Sequence, residues 1–189
     1  MRTRLLDATV DCLVELGYAG TTTTEVARRA GVSRGAQVHH FPTKQDLVVG
    51  AIAHVQARRQ EEFRTTFGAL APEERTLGNA LDLLWSIFNG PSFAAWLELA
   101  VATRSDPELR AHFLELNHRF VERTAELFAE AFPGASDPVS SANGVSFAFA
   151  VLNGLALQRH VGIGEDAETL FEMLKGLATM FAEQIGGSP

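Results

Sequence analysis

Four consecutive residues, Ala30-Gly31-Val32-Ser33, constrain the fold of this chain more than any other feature. Glycine takes up the left-handed backbone that ends a helix, a conformation other residues resist. A serine two places later carries the side-chain oxygen that caps the start of a new helix. Upstream, the threonine run Thr21 to Thr24 offers hydroxyls to the free N–H groups of a first turn, and Val26, Ala27 and Ala30 supply an inner face. Downstream, a short helix runs from Arg34 to about Phe41 before Pro42 stops it. Two helices of about eight residues each, with Val32 plugging the angle between them, make a steep wedge.

The rest of the chain is punctuated as helix too. Leu5, Leu6, Thr9, Val10, Leu13 and Leu16 form one stripe, which predicts a first helix from about Thr3 to Leu16, stopped by Gly17. Thr43 with Asp46 makes a capping-box-like start for a long fourth helix reaching about Phe67, with Leu47, Val48, Ala51, Ile52 and Val55 inward. Pro72 opens a fifth helix that ends near Asn89-Gly90, and Pro91-Ser92 open a sixth. Ser105-Asp106-Pro107-Glu108 places a capping residue, a proline and an acid where a helix start wants them, so a seventh helix runs on to about Phe132. An eighth covers about Pro138 to His160, and beyond Gly162 and Gly164 a ninth covers about Asp166 to Ile185. No stretch alternates as a strand would. The expected fold is all-α with about nine helices: a three-helix N-terminal domain over residues 1–46, carrying the wedge at 22–41, and a helical C-terminal domain over 47–189.

The wedge has an edge suited to nucleotides. On its second helix, Ala36, His40 and Phe41 share the side of Val32 and face inward, which turns Arg34, Gly35, Val38 and His39 outward. A guanidinium and an imidazole can donate to guanine or phosphate, glycine permits close backbone approach, and valine can touch a thymine methyl. Thr22 and Thr23 at a helix N-terminus suit a backbone phosphate, and Lys44 suits another. Ser33 caps the reading helix, and His40 ends it. Gln37 either turns outward to a base or stays half buried against a backbone partner. The net charge of −7 is unevenly spread: residues 1–60 hold eight Lys/Arg and five acids, a balance of +3, and the remainder stands at −10. A basic head on an acidic body orients a molecule on a polyanion.

The ordered series Gly17-Tyr18, Thr21-Thr22, Val26-Ala27, Ala30-Gly31-Val32-Ser33, His40-Phe41 and Lys44 resembles the tetracycline-repressor (TetR) family of bacterial regulators. The resemblance covers about 45 N-terminal residues and implies a helix-turn-helix that places its second helix in the major groove. It also implies a homodimer on double-stranded operator DNA, a small-molecule effector held by helices five to seven, and a dimer interface on helices eight and nine. Two departures stand out. Where the family carries an apolar residue and then a phosphate-contacting tyrosine, this chain has Gln37 and Val38, which leaves that contact open. The arm before the first helix is short, and only Arg2 and Arg4 could reach a groove.

Aromatic residues gather in the middle of the chain, as a cavity for a small apolar or aromatic ligand would require. The candidate lining is Trp85, Phe88, Phe93, Trp96, Phe113, Phe120 and Phe149, with Asn89, Arg104, Asn117 and Asn153 as polar guides; Arg104 could equally cap the sixth helix. Val145, Phe149, Leu152 and Ala156 on the eighth helix, with Leu170, Leu174, Leu177 and Phe181 on the ninth, are the candidate dimer stripe. No catalytic residue, metal site or cofactor is expected. Adjacent His39 and His40 point about 100° apart on a helix, and no HExxH, phosphate loop or nucleophile–base arrangement occurs. A single cysteine, Cys12, and no apolar run near the ~18 residues of a membrane span point to the cytoplasm. The function expected is a repressor released from its operator by ligand. The rivals are an activator or corepressor-dependent regulator, and a helical small-molecule-binding protein with a weakened reading head.

Overall fold

The computed structural model describes residues 1–132, 138–163 and 165–186, with side chains described outside 91–92, 138–142 and 181–186. Among the described residues the secondary structure is helical throughout. The elements are α1 (Arg2–Gly20), α2 (Thr23–Ala30), α3 (Arg34–His40), α4 (Lys44–Ala69), a 3₁₀ turn (Pro72–Glu74), α5 (Leu77–Phe88), α6 (Pro91–Ala102), α7 (Pro107–Ala131), α8 (Pro138–His160) and α9 (Ala167–Gly186).

The chain divides into two compact units. The first comprises residues 1–58 and 90–118, and the second 59–89 and 119–189. In the first unit, Leu5, Leu6, Cys12, Val26, Ala30, Phe41, Leu47 and Ala51 form one buried cluster that ties α1, α2, α3 and the start of α4 together. Leu13, Val48, Ile52, Ala95, Leu99, Leu109 and Phe113 form another, in which α1 and α4 meet α6 and the start of α7. The expected stripe of α1 is buried from Leu5 to Leu13, but Leu16 lies exposed past its end. Burial raises the Cys12 thiol above its ordinary value, chiefly by desolvation, so it sits in the core as a small apolar group. In the second unit, Phe63 and Phe67 of α4 pack with Ala80 of α5, and Phe132 joins them.

Helix ends follow local chemistry. Asp46 N donates to Thr43 Oγ1 at 3.0 Å, and Thr43 N donates to Asp46 Oδ2 at 3.0 Å, the reciprocal pair that opens α4. Asp106 Oδ1 accepts from Leu109 N at 2.9 Å and opens α7. The fifth helix begins at Leu77, later than Pro72 suggested. Thr76 Oγ1 accepts from Asn79 N at 3.2 Å and sets the start there. Arg75 meanwhile donates to the carbonyls of Leu70 (3.0 Å) and Gly68 (2.6 Å), closing the end of α4. Gly17 does not stop α1. It adopts φ 68°, ψ 177° and kinks the chain, which then makes one further turn to Gly20.

Candidate functional site

The wedge is built as its sequence requires. Thr22 Oγ1 accepts from Glu25 N at 3.2 Å and caps α2. Gly31 ends α2 in the left-handed region at φ 61°. Ser33 Oγ accepts from Ala36 N at 3.2 Å and caps α3. The turn is held from behind by Arg4, whose guanidinium donates to the Ala30 carbonyl and, at 3.4 Å, to the Gly31 carbonyl. A side chain at residue 31 would be strained by the positive φ, and its Cβ, 2.8 Å from that guanidinium, would displace the Arg4 clamp.

A carboxylate stabilises α2 from its own surface. Glu25 accepts from Arg28 Nε at 2.8 Å and Arg29 Nε at 2.7 Å, and Arg29 Nη1 reaches Glu15 of α1 at 2.7 Å. The hydrogen bonds from Arg28, then those from Arg29, hold the Glu25 carboxyl down to about 2. A folded-state value below the ordinary 4.5 contributes stability that is present above pH 4.5 and is lost as pH falls through about 2. Glu25→Gln is therefore expected to lower the thermal midpoint at pH 7, with the gap to the unsubstituted protein closing below pH 4.5. Circular dichroism melts across that range check it.

On α3 the two faces separate. Arg34, Gly35, Val38 and His39 are exposed, Val38 by 45%. Gln37 is 1% exposed. It lies inside the head, where Nε2 donates to the Phe41 carbonyl at 2.5 Å and Oε1 has no partner. Of the two placements open to Gln37, the structure has the buried one, with neither polar atom of its side chain at the surface of the head. His40 corrects the sequence reading in the other direction. It was expected inward with Phe41, but the structure leaves it exposed, its ring 5.4 Å from that of His39 at an edge-on angle of 67°. His40 is the last residue of α3 and the chain leaves the helix at Phe41, so its ring is not covered although it lies three residues on from Gln37.

One cation expected to contact a phosphate, Lys44, turns into the protein instead. Lys44 Nζ donates to the Tyr18 carbonyl at 2.5 Å and sits 4.1 Å from the Tyr18 ring centroid. Desolvation lowers its pKa. Lys44 thus stitches α4 to the end of α1 and is half-buried there. Arg4 is engaged at the turn, and Arg2 lies over the Phe41 ring at 5.3 Å.

The second unit contains a small cleft lined by Arg59, Gln60 and Phe63 of α4, Leu84, Ile87 and Phe88 of α5, and Phe120, Thr124 and Leu127 of α7. Its free space is about 10 Å³, room for about one water. Gln60 Nε2 bridges the Phe120 carbonyl (3.0 Å) and Thr124 Oγ1 (3.3 Å) across it. Of the predicted lining residues, Phe88 and Phe120 are here, with Phe149 packed on both at 5.5 and 5.3 Å between ring centres. The others are placed elsewhere. Trp85 stacks on Phe171 at 5.0 Å and donates to Glu168 at 2.9 Å. In the first unit Phe93 stacks on Trp96, which meets Phe113 at a 45° tilt, each pair 5.7 Å between ring centres. Asn89 caps α5, Arg104 is exposed in the turn after α6, and Asn117 and Asn153 are half-buried. The α4 contribution was missed, although Gln56, Gln60, Phe63 and Phe67 continue the inner stripe at the same spacing.

The expected dimer stripe divides. Val145, Phe149, Leu152, Ala156 and Leu174 are buried within the chain itself, so they serve its own core. Leu170 and Leu177 stay exposed, and with Met173 (59%) and Met180 they form an outer line on α9. Phe147, 64% exposed, and Leu157 do the same on α8. The Phe181 side chain lies outside the described residues.

Residues 5–51 match the family model for bacterial regulatory proteins of the tetR family. Residues 72–180, more than half of the chain, match the tetracyclin repressor-like C-terminal domain. The chain belongs to the TetR family. Among relatives, the HTH-type transcriptional regulator CymR of Pseudomonas putida is 38% identical over 107 residues, 57% of this chain and 53% of CymR. The match thus spans about half the length of that relative. A TetR-family transcriptional regulator from Rhodococcus sp. has the same fold, with a TM-score of 0.75 at 20% identity over 94% of this chain and 97% of that one. The transcriptional regulator FadR from Bacillus subtilis, solved in complex with stearoyl-CoA, aligns with a TM-score of 0.69 at 17% identity, covering 95% and 98% of the two chains. At these identities the two structures speak for the TetR fold alone.

Proposed function

We propose that this chain is a dimeric, sequence-specific DNA-binding repressor that a small apolar or aromatic molecule releases from its operator. The carrying observation is the edge of α3. Arg34, Gly35, Val38 and His39 are all exposed on a helix whose other side is anchored through Gln37 and Phe41. Such an edge can enter the major groove, where Arg34 donates to guanine and Val38 meets a thymine methyl. Thr22, Thr23 and Ser33 position the helix on the backbone. Lys44, engaged with Tyr18, acts behind the interface and supports it. DNA reading is assigned to residues 1–46, and sensing and dimerisation to 47–189.

The cleft supports an apolar or aromatic effector, because six of its nine lining residues are apolar and only Arg59, Gln60 and Thr124 are polar. At about 10 Å³ it cannot hold such a molecule as it stands. Binding must part Phe63, Phe88 and Phe120, and α4, which supplies Phe63, begins beside the reading head. The coupling is reciprocal, so operator DNA must weaken the effector by the same factor. The outer line of α9, with that of α8, gives a second copy an apolar face to cover. No helix among the described residues is long and apolar enough to cross a membrane, and we place the regulator in the cytoplasm.

The test uses a duplex enriched from a random library by the purified protein, followed by fluorescence anisotropy at about 50 and 200 mM salt. A steep salt slope and preference for the enriched duplex are expected. Arg34→Ala is expected to weaken binding about tenfold with the dimer mass unchanged. Failure of any duplex to enrich would remove the DNA-reading function. Unchanged affinity of Arg34→Ala would remove Arg34 from the base contacts.

A further inference from the structure

We propose that Glu98 of α6 is a positioning residue for DNA reading: its carboxylate fixes the backbone at the kink of α1 and so sets the segment that leads into α2. Four observations within the first unit converge on this kink. Glu98 Oε2 accepts from the Tyr18 backbone N–H at 2.9 Å, across 80 residues of sequence. The glycine beside it makes room, since a Cβ on Gly17 would lie 2.9 Å from the same oxygen, and Gly17 has φ 68°. The other side of the same peptide region is held as well, because Lys44 Nζ donates to the Tyr18 carbonyl. Thr21 then closes the turn, its N and Oγ1 donating to the Gly17 carbonyl at 3.1 and 2.8 Å. The next residue, Thr22, is the cap of α2.

The physical argument is one of leverage. After a kink at positive φ, the N–H groups of the new turn have lost their helical acceptors. Here a carboxylate from a different helix supplies one, and a charge-assisted hydrogen bond is about twice as strong as a neutral one. α1 packs along α6 elsewhere through an apolar cluster that includes Leu13 and Leu99, which is less directional than a hydrogen bond. The Glu98–Tyr18 bond does not tolerate sliding. The entry to α2 therefore follows the position of α6, and with it the placing of Thr22 and α3 on a duplex. This role rests on the DNA-reading function proposed above.

Two readouts separate the claims. Backbone hydrogen exchange across residues 18–22, measured by mass spectrometry on the full chain, reports the bond without DNA. Anisotropy with the enriched duplex reports its consequence. Glu98→Ala is expected to speed exchange in that segment about tenfold and weaken DNA binding about tenfold, with the dimer mass unchanged and the melting midpoint lowered by no more than a few degrees. Glu98→Gln, which keeps an acceptor oxygen at the same reach but not its charge, is expected to fall about midway, with changes of about threefold in both. Glu98→Asp, folded and charged but one methylene short, is expected to behave as Glu98→Ala and replaces it if the latter does not fold. Native-like exchange in Glu98→Asp, or faster exchange with full DNA affinity, overturns the proposal. If the unsubstituted protein enriches no duplex, the DNA-reading function fails, while exchange still decides whether Glu98 holds the kink.

Discussion

Gln37→Glu is expected to destabilise the folded chain by about 3–5 kcal/mol at pH 8, the range for a buried charge left without compensation. At 1% exposure the position offers the new carboxylate no water. The amide N–H₂ that now donates to the Phe41 carbonyl would be replaced by an oxygen facing an oxygen. The other oxygen would inherit the place of Oε1, which has no partner already. The substituted carboxyl should therefore titrate above its unfolded value of about 4.3. With the folded value raised, the native state binds the extra proton. The penalty is absent below about pH 4 and grows as pH rises through the folded value. In the neutral form the acid O–H can donate to the Phe41 carbonyl as the amide does. Urea unfolding of both proteins at pH 4.5, 6 and 8 tests this. A pH-independent difference, or none, would mean that position 37 is not enclosed.

Leu177→Glu is expected to dissociate the proposed dimer and, with it, DNA binding. Leu177 is 51% exposed in the single chain and lies on the outer line of α9 with Leu170, Met173 and Met180. In a twofold interface each such residue meets its copy or a near neighbour, so one substitution introduces two like charges into a surface that should become dry. The dimer dissociation constant should rise by about a hundredfold or more. DNA affinity should fall further than Arg34→Ala brings it, because two linked heads bind with a high effective concentration and two separate ones do not. Sedimentation at micromolar protein and anisotropy with the enriched duplex measure both. Val101→Glu, at a residue of α6 that is 60% exposed, is the control and should leave the mass unchanged. A stable dimer of Leu177→Glu would place the interface on a different face.

The parts of the structure legible in the sequence were those set by neighbours along the chain. Gly31, Ser33, the Thr43–Asp46 pair and Asp106-Pro107 each act within one helical turn, and each does in the fold what its chemistry requires. What escaped depends on contacts between distant segments. Gly17 carries the same conformational freedom whether it ends a helix or kinks one, and Glu98, 81 positions away, decides between the two. Gln37 escaped for a different reason: its partner, the Phe41 carbonyl, is only four residues on, but an amide can serve either face and nothing local chose between them. On α8 and α9 periodicity found apolar residues without separating the line that fills the chain's own core from the line left outside it. Phe171 and Leu174 are buried while Met173 and Leu177 are not, and nothing in their types distinguishes them. The cleft was read only in part for a related reason: aromatic residues mark a cavity and a solid core equally well, and Trp96 and Phe113 belong to the latter.

The clamp of Arg4 on the Ala30 and Gly31 carbonyls has a thermodynamic consequence. The angle between α2 and α3 is fixed before any duplex is met, so binding need not spend entropy on folding the head. Heat-capacity change on association should then reflect only the apolar surface covered at the groove, and remain far smaller than that of heads that order upon contact. In the proposed dimer, the adjustable quantity left is the spacing of two preformed heads, and an effector able to alter that spacing slightly has no need to melt anything.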